Sequence, residues 1–410
     1  MLIISIVKGF LKWLLLFTIG LLVIANLFIV FTGRWYLYSG IYNTYLQGKT
    51  GPGIFDKEVF YSATIHKSKT TKSWVKKSSS NQLTKKELTY LENLEISSLL
   101  ILHGDTIVLE KYWGDHNEES VSNSFSAAKT FVALLIGCAL DEGKIKSLDE
   151  PIGNYLPAFN QGKKKKITIK HLLWMSSGLD WSESGKNPLS DNAASYYGTD
   201  LKQLVNDQEV KRNPGELFLY QSGNSQLLGF IVEKATGIQL SKYAEQKIWS
   251  KINTENNAFW SLDKKNGDEK SFCCLYSSTR DFARLGKLIG NYGKWNGEQL
   301  ISEKYMRELS QPAPLYTEDG IRNYRYGYHT WLYLGDNDPV YYCRGILGQY
   351  IISIPSKNIV IVRTGFKRAK DIKLTKDTKN KAAFLKNNKY KIGHPADLFM
   401  YLSIAKRLIH

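Results

Sequence analysis

The most constraining feature of the sequence is an uncharged apolar stretch near its amino end. Residues 13–32 read WLLLFTIGLLVIANLFIVFT and contain no Lys, Arg, Asp or Glu. About 20 such residues in an α-helix, which rises about 1.5 Å per residue, cross the hydrocarbon core of a bilayer. We therefore predict one transmembrane helix, and a cleaved signal peptide or a buried core helix are the alternatives.

The residues on either side of this stretch bear on its orientation. Lys8 and Lys12 precede it and Arg34 follows it directly, so the positive charges favour a cytoplasmic amino end only weakly. Aromatic residues at positions 35, 36 and 38 suit the lipid–water interface on the far side. We therefore expect the remaining chain to lie outside the cytoplasm, in the periplasm or the extracellular space.

Composition indicates a packed globular body, because 43% of the 410 residues are hydrophobic and 13% are aromatic. The formal net charge is +17, but much of the excess lies in residues 67–86 and 163–166, without aromatic residues on a repeating face. We therefore expect no nucleic-acid partner. Attraction to the membrane surface or to an anionic cell-envelope polymer is favoured instead.

The cysteines and histidines do not indicate a metal site. Cys273 and Cys274 are adjacent, Cys138 lies in an apolar stretch, and Cys343 is the fourth. We interpret all four as small buried residues and not as a disulfide framework. The seven histidines form no HExxH pair and no zinc-like spacing, so neither a metal ion nor a cofactor is expected.

Hydrophobic periodicity divides the remaining chain into strands and helices. Apolar runs predict two hairpins, one from residues 96–102 and 106–113 and one from residues 349–354 and 358–363. Residues 130–140, TFVALLIGCAL, are apolar on every side, as in a fully buried helix. Other periodic runs predict helices at residues 226–235, 281–292 and 395–408.

Three segments follow from these patterns. Residues 1–34 are predicted to be a membrane anchor, and residues 35–90 a juxtamembrane connector. Residues 91–410 form the body, with a mostly helical insertion at about residues 149–262 beside the sheet.

The Ser-x-x-Lys pattern that begins at Ser126 has a chemical use. The pattern starts at residues 5, 73, 126, 261 and 403, but only Ser126 opens a long buried helix, with Lys129 one turn later on the same face. The helix amino end favours negative charge on the serine oxygen, and a dry pocket lowers the pKa of a lysine so that it can accept a proton. The alternative is an N-cap serine followed by a lysine that extends to solvent.

Two later elements carry further candidate groups. Tyr220 lies on a loop before the helical run, where it can reach a cleft, and as a base it needs its pKa lowered by the lysine cation. Residues 344–349, RGILGQ, lead into a strand, and their glycines permit a main-chain NH to face the serine. A packed tyrosine and a plain strand start are the alternative interpretations.

Taken in order, these three elements resemble the serine β-lactamase and penicillin-binding protein superfamily, whose pattern is Ser-x-x-Lys, then Tyr-x-Asn or Ser-x-Asn, then Lys-Thr-Gly on a strand. Residues 167–181, 213–237 and 278–302 also resemble its class C-like branch. Residues 345–349 are most similar to serine esterases and 6-aminohexanoate-dimer hydrolases. The resemblance implies a β-lactamase/transpeptidase-like α+β fold, with an antiparallel sheet flanked by helices.

The same resemblance implies roles for individual residues. Ser126 is expected to be the acylated nucleophile, Lys129 its base, and Tyr220 the group that moves protons to the leaving group and to water. Ser222 stands where the family has Asn. The main-chain NH groups of Ser126 and Ile346 are expected to form the oxyanion hole.

The last element departs from the family pattern. Arg344 and Gly345 stand where the family has the Lys and Thr of Lys-Thr-Gly. The hydroxyl that helps to hold a substrate carboxylate is therefore absent, and only the cation is kept. This difference argues against β-lactams as the preferred substrates.

The implied function is a membrane-anchored serine hydrolase that cleaves a small ester or amide through an acyl-enzyme. A catalytically silent cell-envelope binding protein is an alternative, as is a D-alanyl peptidase or a β-lactamase. A Ser-His-Asp hydrolase of another fold is disfavoured, because the chain has no Gly-x-Ser-x-Gly elbow.

Overall fold

A computed structural model describes residues 2–77, 82–373 and 381–409. Its α-helices are α1 Leu2–Thr32, α2 Tyr36–Asn43, α3 Lys85–Asn93, α4 Ala128–Asp141, α5 Ile169–Leu173, α6 Asp191–Tyr197, α7 Leu201–Asn206, α8 Ser222–Thr236, α9 Leu240–Ala244, α10 Thr279–Gly290, α11 Glu303–Leu309, α12 Lys381–Asn388 and α13 Ala396–Ile409. Its strands are β1 Ser62–Ile65, β2 Val75–Lys76, β3 Ile96–His103, β4 Thr106–Tyr112, β5 Val121–Asn123, β6 Leu217–Phe218, β7 Ala258–Ser261, β8 Leu275–Ser278, β9 Lys294–Trp295, β10 Glu298–Gln299, β11 Tyr316–Thr317, β12 Trp331–Tyr333, β13 Val340–Gly345, β14 Gln349–Ile354 and β15 Ile359–Gly365.

The largest sheet has seven strands in the order β12-β13-β14-β15-β3-β4-β2. Its neighbours are antiparallel except at one edge, where β2 runs parallel to β4. The two predicted hairpins are confirmed as β3 with β4 and β14 with β15. This sheet and its flanking helices confirm the predicted α+β fold.

The inner strand β3 is apolar on both faces because helices cover both faces of the sheet. Leu99 and Ile101 share one core with Leu398 of α13. Leu100 and Leu102 lie on the opposite side, in the core that contains α4 and α10. Successive side chains of a strand alternate between its faces, so the side chains of this one apolar run pack against helices on both faces of the sheet.

Helix α4 is the buried helix that the sequence predicts. Its residues from Ala128 to Ala139 are all buried, and it packs against α8 and β13. A helix without a polar face requires neighbours on every side, and here other helices and the sheet supply them. The turn that precedes α4 is therefore held by the core.

The region predicted as a mostly helical insertion contains α5 to α9 and the short strands β6 and β7. Strand β7 belongs to a second sheet, in the order β1-β7-β8-β5. Its partner β1 comes from the segment predicted as a connector, and Ser62 lies opposite Ser261. This part of the chain is therefore integrated into the body.

Helix α1 stands apart from the hydrophobic core. It is long and apolar enough to cross a membrane, and only 6% of its most apolar window is buried. This low burial is inconsistent with the alternative of a core helix, and it leaves a membrane anchor or a signal sequence. The following helix α2 lies against α6, and the hydroxyl of Tyr36 donates a hydrogen bond to the carbonyl of Pro188 at 3.1 Å.

Candidate active site

Ser126 lies in a tight turn between β5 and α4. The turn, Phe125–Ala127, is a 3-10 helix, and Phe125 adopts a φ of 45°. The main-chain NH of Ser124 donates to Leu275, and the NH of Phe125 donates to the side chain of Asn123. The N-cap residue of α4 is Ala127, without a side-chain cap, so Ser126 does not serve as the N-cap of this helix.

Lys129 lies within hydrogen-bonding distance of the serine hydroxyl. Its Nζ is 3.1 Å from Oγ of Ser126 and donates to the carbonyl oxygen of Phe272 at 2.7 Å. The side chain is buried, and burial lowers the pKa of Lys129 to about 8, while the negative charge of Glu183 acts in the opposite direction. An amine with this pKa is partly neutral at physiological pH and can accept a proton.

Tyr220 completes a cluster of three polar groups. Its hydroxyl hydrogen-bonds with the hydroxyl of Ser126, and its ring centroid lies 5.3 Å from Nζ of Lys129. Burial and then the charge of Glu183 raise the pKa of Tyr220 above its usual value. The prediction of a lowered pKa is therefore wrong, because burial and the charge of Glu183 outweigh the opposing effects of the Ser126 hydroxyl and the Arg344 charge. The hydroxyl stays protonated at neutral pH.

Glu183 is a site residue that the sequence analysis missed. Its carboxylate accepts hydrogen bonds from the NH of Ser222 at 2.7 Å, from the hydroxyl of Ser222 at 2.8 Å and from the indole of Trp181 at 2.9 Å. The sequence did offer a sign that Glu183 lies near the site. The segment 167–181, which resembles the family, ends only two residues before Glu183. Ser222 is the first residue of α8, and its two hydrogen bonds hold the carboxylate of Glu183 in position.

The end of strand β13 packs directly on the serine turn. A Cβ atom added to Gly345 would lie 2.2 Å from the carbonyl oxygen of Ser124 and 3.1 Å from Cβ of Phe125. Only glycine permits this approach. The next residue, Ile346, is 47% exposed and lines the same cleft as Ser126.

Arg344 is engaged outside the serine cluster. Its guanidinium lies 3.6 Å from the ring centroid of Trp331, donates to the carbonyl of Gly393 at 3.0 Å and is 3.4 Å from the carboxylate of Asp371. Trp331 in turn packs against the ring of Tyr220. The structure therefore brings the other predicted site residues together around Ser126. The guanidinium of Arg344 instead contacts Trp331, Gly393 and Asp371.

The cluster opens into a cleft of 440 Å³. One side is formed by Ser126, Ile346 and Phe272, and another by residues 183–188. Helices α6 and α2 and residues 44–45 and 50–52 also line the cleft. A cleft of this size accommodates a small organic substrate beside the serine hydroxyl.

Two cysteines lie next to this cluster. Cys273 and Cys274 directly follow Phe272 and are joined by a disulfide with an S–S distance of 2.01 Å. All four cysteines are buried as predicted, and Cys138 and Cys343 are free. The prediction without a disulfide is wrong for the adjacent pair, because the loop directs both sulfur atoms toward each other.

Several known proteins are similar to this chain in sequence and in fold. The Beta-lactamase family profile matches residues 97–371. The 6-aminohexanoate-dimer hydrolase of Paenarthrobacter ureafaciens is 22% identical over 289 residues, which cover 67% of this chain and 73% of that protein. A solved structure from Bacillus anthracis, provisionally described as a 6-aminohexanoate-dimer hydrolase, has a TM-score of 0.68 and 20% identity, covering 77% of this chain and 87% of that one. A family VIII carboxylesterase has a TM-score of 0.58 and 16% identity over 80% and 99% of the two chains.

The structural similarities show the β-lactamase/transpeptidase-like fold. The family profile covers about two thirds of the 410 residues, and the matched segment contains Ser126, Lys129 and Tyr220. The chain therefore belongs to the Beta-lactamase family of serine hydrolases.

Proposed function

We propose that this protein hydrolyses small esters or amides through an acyl-enzyme formed on Ser126. The observation that carries the proposal is the buried amine of Lys129, whose Nζ lies 3.1 Å from the serine hydroxyl. An ordinary surface lysine is protonated at neutral pH and cannot act as a base. Burial of Lys129 lowers its pKa to about 8, which suits a general base.

Acylation begins when the neutral amine of Lys129 accepts the proton of Ser126. The carbonyl of Phe272 accepts one N–H of the amine, which leaves the nitrogen lone pair for the serine. The serine oxygen attacks the substrate carbonyl carbon, and the resulting oxyanion accepts hydrogen bonds from the main-chain NH groups of Ser126 and Ile346. Their positions on the serine turn and on the end of the adjoining strand support this assignment.

Tyr220 acts as the proton donor to the leaving group. Its raised pKa keeps the hydroxyl protonated, and its hydrogen bond to Ser126 puts that proton beside the bond that breaks. The proton taken by Lys129 replaces the one that Tyr220 donates, and the alcohol or amine departs. A water molecule then attacks the acyl-enzyme by the same route, which releases the acid and restores Ser126.

The preference for an uncharged acyl group rests on the residues at the end of β13. Gly345 offers no hydroxyl, and the guanidinium of Arg344 already contacts Trp331, Gly393 and Asp371. The names of two similar proteins specify hydrolysis of a 6-aminohexanoate dimer and of carboxylic esters. Both observations favour ester or amide hydrolysis over β-lactam hydrolysis.

Covalent labelling tests the nucleophile. A fluorophosphonate probe is expected to label the wild-type protein and not Ser126→Ala, with p-nitrophenyl butyrate hydrolysis lost in parallel. Ser124→Ala is the matched control, because it removes a hydroxyl from the same turn, and it is expected to remain labelled. Labelling of Ser126→Ala would exclude this serine. Absence of labelling in the wild type would favour a catalytically silent binding protein.

We also propose that α1 is retained as a membrane anchor with the hydrolase body outside the cytoplasm. Support comes from its apolar length and from the aromatic residues that follow it. Carbonate washing of membranes is expected to leave the protein in the pellet, and protease added to spheroplasts is expected to digest the body. Release by carbonate, or protection from protease, would contradict this proposal.

A further inference from the structure

Helix α2, which follows the membrane-spanning candidate, forms one wall of the catalytic cleft. Tyr36, Leu37, Gly40 and Ile41 line the same cleft as Ser126. Gly40 faces the body, because a Cβ atom there would be in van der Waals contact with the ring of Tyr197, at 3.4 Å. The juxtamembrane helix is therefore part of the substrate site.

The chain length between span and cleft limits their separation. Leu37 follows Thr32 by five residues, which span at most about 18 Å when fully extended. The headgroup layer on each side of the hydrocarbon core is roughly 5 to 8 Å thick. An anchored protein therefore holds this wall of the cleft at or just above the lipid headgroups.

Hydrogen bonds fix α2 between the span and the body. The hydroxyl of Tyr38 donates to Oδ1 of Asn26 within α1 at 2.7 Å. Arg34 donates to the carbonyl of Leu189 at 3.2 Å, and Tyr36 donates to the neighbouring carbonyl of Pro188. These bonds join α1 and α2 to the loop that forms the opposite wall of the cleft, so the body cannot rotate freely away from the membrane.

Exposed apolar and aromatic side chains surround this end of the cleft. They are contributed by α2 and the residues on either side of it, by the opposite loop and by the residue after β13: Trp35, Tyr38, Ile41, Tyr42, Tyr45, Leu46, Leu189 and Ile346. Trp and Tyr are enriched where a protein meets the lipid–water interface. A group of exposed apolar side chains around a cleft suits contact with lipid or with another apolar partner.

We propose that the cleft receives the ester or amide group of an amphiphile that remains in the bilayer. The apolar chain of the substrate leaves the cleft along Ile41 and α2 and continues into the lipid, while the scissile carbonyl reaches Ser126. The inference rests on the proposed hydrolase function and on membrane anchoring. It assigns α2 the role of a guide for the apolar chain of the substrate.

Reconstitution of the full-length protein tests the route of entry. The protein is placed in vesicles of phosphatidylcholine with a minority of phosphatidylglycerol, and p-nitrophenyl palmitate is placed either in the same vesicles or in separate ones. Substrate in the same bilayer is expected to be hydrolysed at least about tenfold faster, because membrane residence raises its effective concentration at the cleft. Equal rates in the two arrangements would overturn the inference.

A substitution in α2 tests the path of the apolar chain. Ile41→Asp puts a charge on the proposed path and is expected to lower the ratio of kcat/KM for palmitate to that for butyrate about tenfold. Val75→Asp is the matched control, because Val75 is an exposed aliphatic residue outside the cleft, and it is expected to leave the ratio unchanged.

The outcomes separate this inference from the function on which it rests. If Ile41→Asp hydrolyses butyrate and its ratio of kcat/KM for palmitate to that for butyrate is unchanged, the proposed lipid substrate is overturned. The proposed hydrolase function is then retained. Failure to hydrolyse either ester, with Ser126 unlabelled by fluorophosphonate, overturns the hydrolase function and this inference with it.

Discussion

Glu183 and Ser222 are joined by two hydrogen bonds, from the main-chain NH of Ser222 at 2.7 Å and from its hydroxyl at 2.8 Å. This pairing fixes a carboxylate at the edge of the cleft. The charge raises the pKa of both Lys129 and Tyr220, in opposition to burial for the lysine and in addition to burial for the tyrosine. One acidic side chain therefore influences the pKa of both groups that contact the hydroxyl of Ser126.

The activity of the wild-type protein is expected to rise with pH. Only the neutral amine of Lys129 can accept the serine proton, and its pKa is about 8. Below that pKa the neutral fraction falls about tenfold per pH unit, so kcat/KM falls with it. Above it the profile levels off. Measurement with p-nitrophenyl butyrate from pH 5 to 10 checks this, and a profile flat through pH 8 would contradict Lys129 as the base.

Glu183→Gln is expected to shift this profile to lower pH. Removal of the negative charge destabilises the ammonium form of Lys129, so its pKa decreases. The amide oxygen can still accept from the main-chain NH of Ser222, and the amide NH2 can donate to the hydroxyl of Ser222. The midpoint of the kcat/KM profile is the readout, because a purely structural change alters the maximum and leaves the midpoint in place. Glu298→Gln, at an exposed position, is the control without a shift. A midpoint that moves to higher pH in Glu183→Gln would contradict the conclusion that the charge of Glu183 raises the pKa of Lys129.

The proximity of Ser126 and Lys129 and much of the sheet could be predicted because they depend on local patterns. Ser126 and Lys129 are one helical turn apart, and the apolar run after them requires a buried helix. The strands β3, β4, β14 and β15 follow from short apolar runs separated by turns, since hairpin partners are close in the sequence.

The missed features depend on contacts between distant parts of the chain. Strand β1 pairs with β7 almost two hundred residues later, so its polar surroundings in the sequence resemble a connector. Glu183 lies on a loop without periodicity, and only the approach of Ser222 shows its position. The raised pKa of Tyr220 depends on its desolvation and on the charge of Glu183, which spacing alone does not show.

Lys129→Ala and Tyr220→Phe are each expected to reduce acylation by about 10²- to 10⁴-fold, because a positioned proton donor or acceptor contributes about that much. The double variant is expected to lose little more than the worse single variant, since the two side chains serve the same serine proton. The burst of p-nitrophenol in the first turnover measures acylation. A double variant whose loss equals the product of the single losses would show that the two groups act independently.

Gly345→Ala is expected to reduce kcat by displacing the serine turn. The new methyl group would lie 2.2 Å from the carbonyl oxygen of Ser124, so either the turn or the end of β13 must move. Gly290→Ala is the matched control, because its nearest contact is an ordinary 3.5 Å. Activity and melting temperature are measured for both variants. Full activity in Gly345→Ala would show that this close approach is not needed for catalysis.

We expect activated short-chain esters to be much better substrates than β-lactams. A β-lactam carries a carboxylate that the enzyme must hold, and a hydrogen bond to a charged group contributes about 1.5 to 3 kcal/mol. Gly345 has no hydroxyl to donate, Ile346 presents an apolar side chain to the cleft, and Arg344 lies against Trp331. At about 1.4 kcal/mol per factor of ten, the missing bond weakens binding of an anionic substrate roughly ten- to hundredfold.

A substrate with an uncharged acyl group does not need this hydrogen bond, so its binding is not weakened. The two substrate classes can therefore be compared on the same enzyme. The measurement is kcat/KM for nitrocefin beside p-nitrophenyl acetate and butyrate on one preparation, with Ser126→Ala as the blank. Gly345→Thr adds the missing hydroxyl, but its Cβ must displace the carbonyl of Ser124, so no gain for nitrocefin is expected from it. If nitrocefin is the better substrate of the wild-type protein, another cation must reach the cleft and hold the carboxylate, and the assignment of an uncharged acyl group is then incorrect.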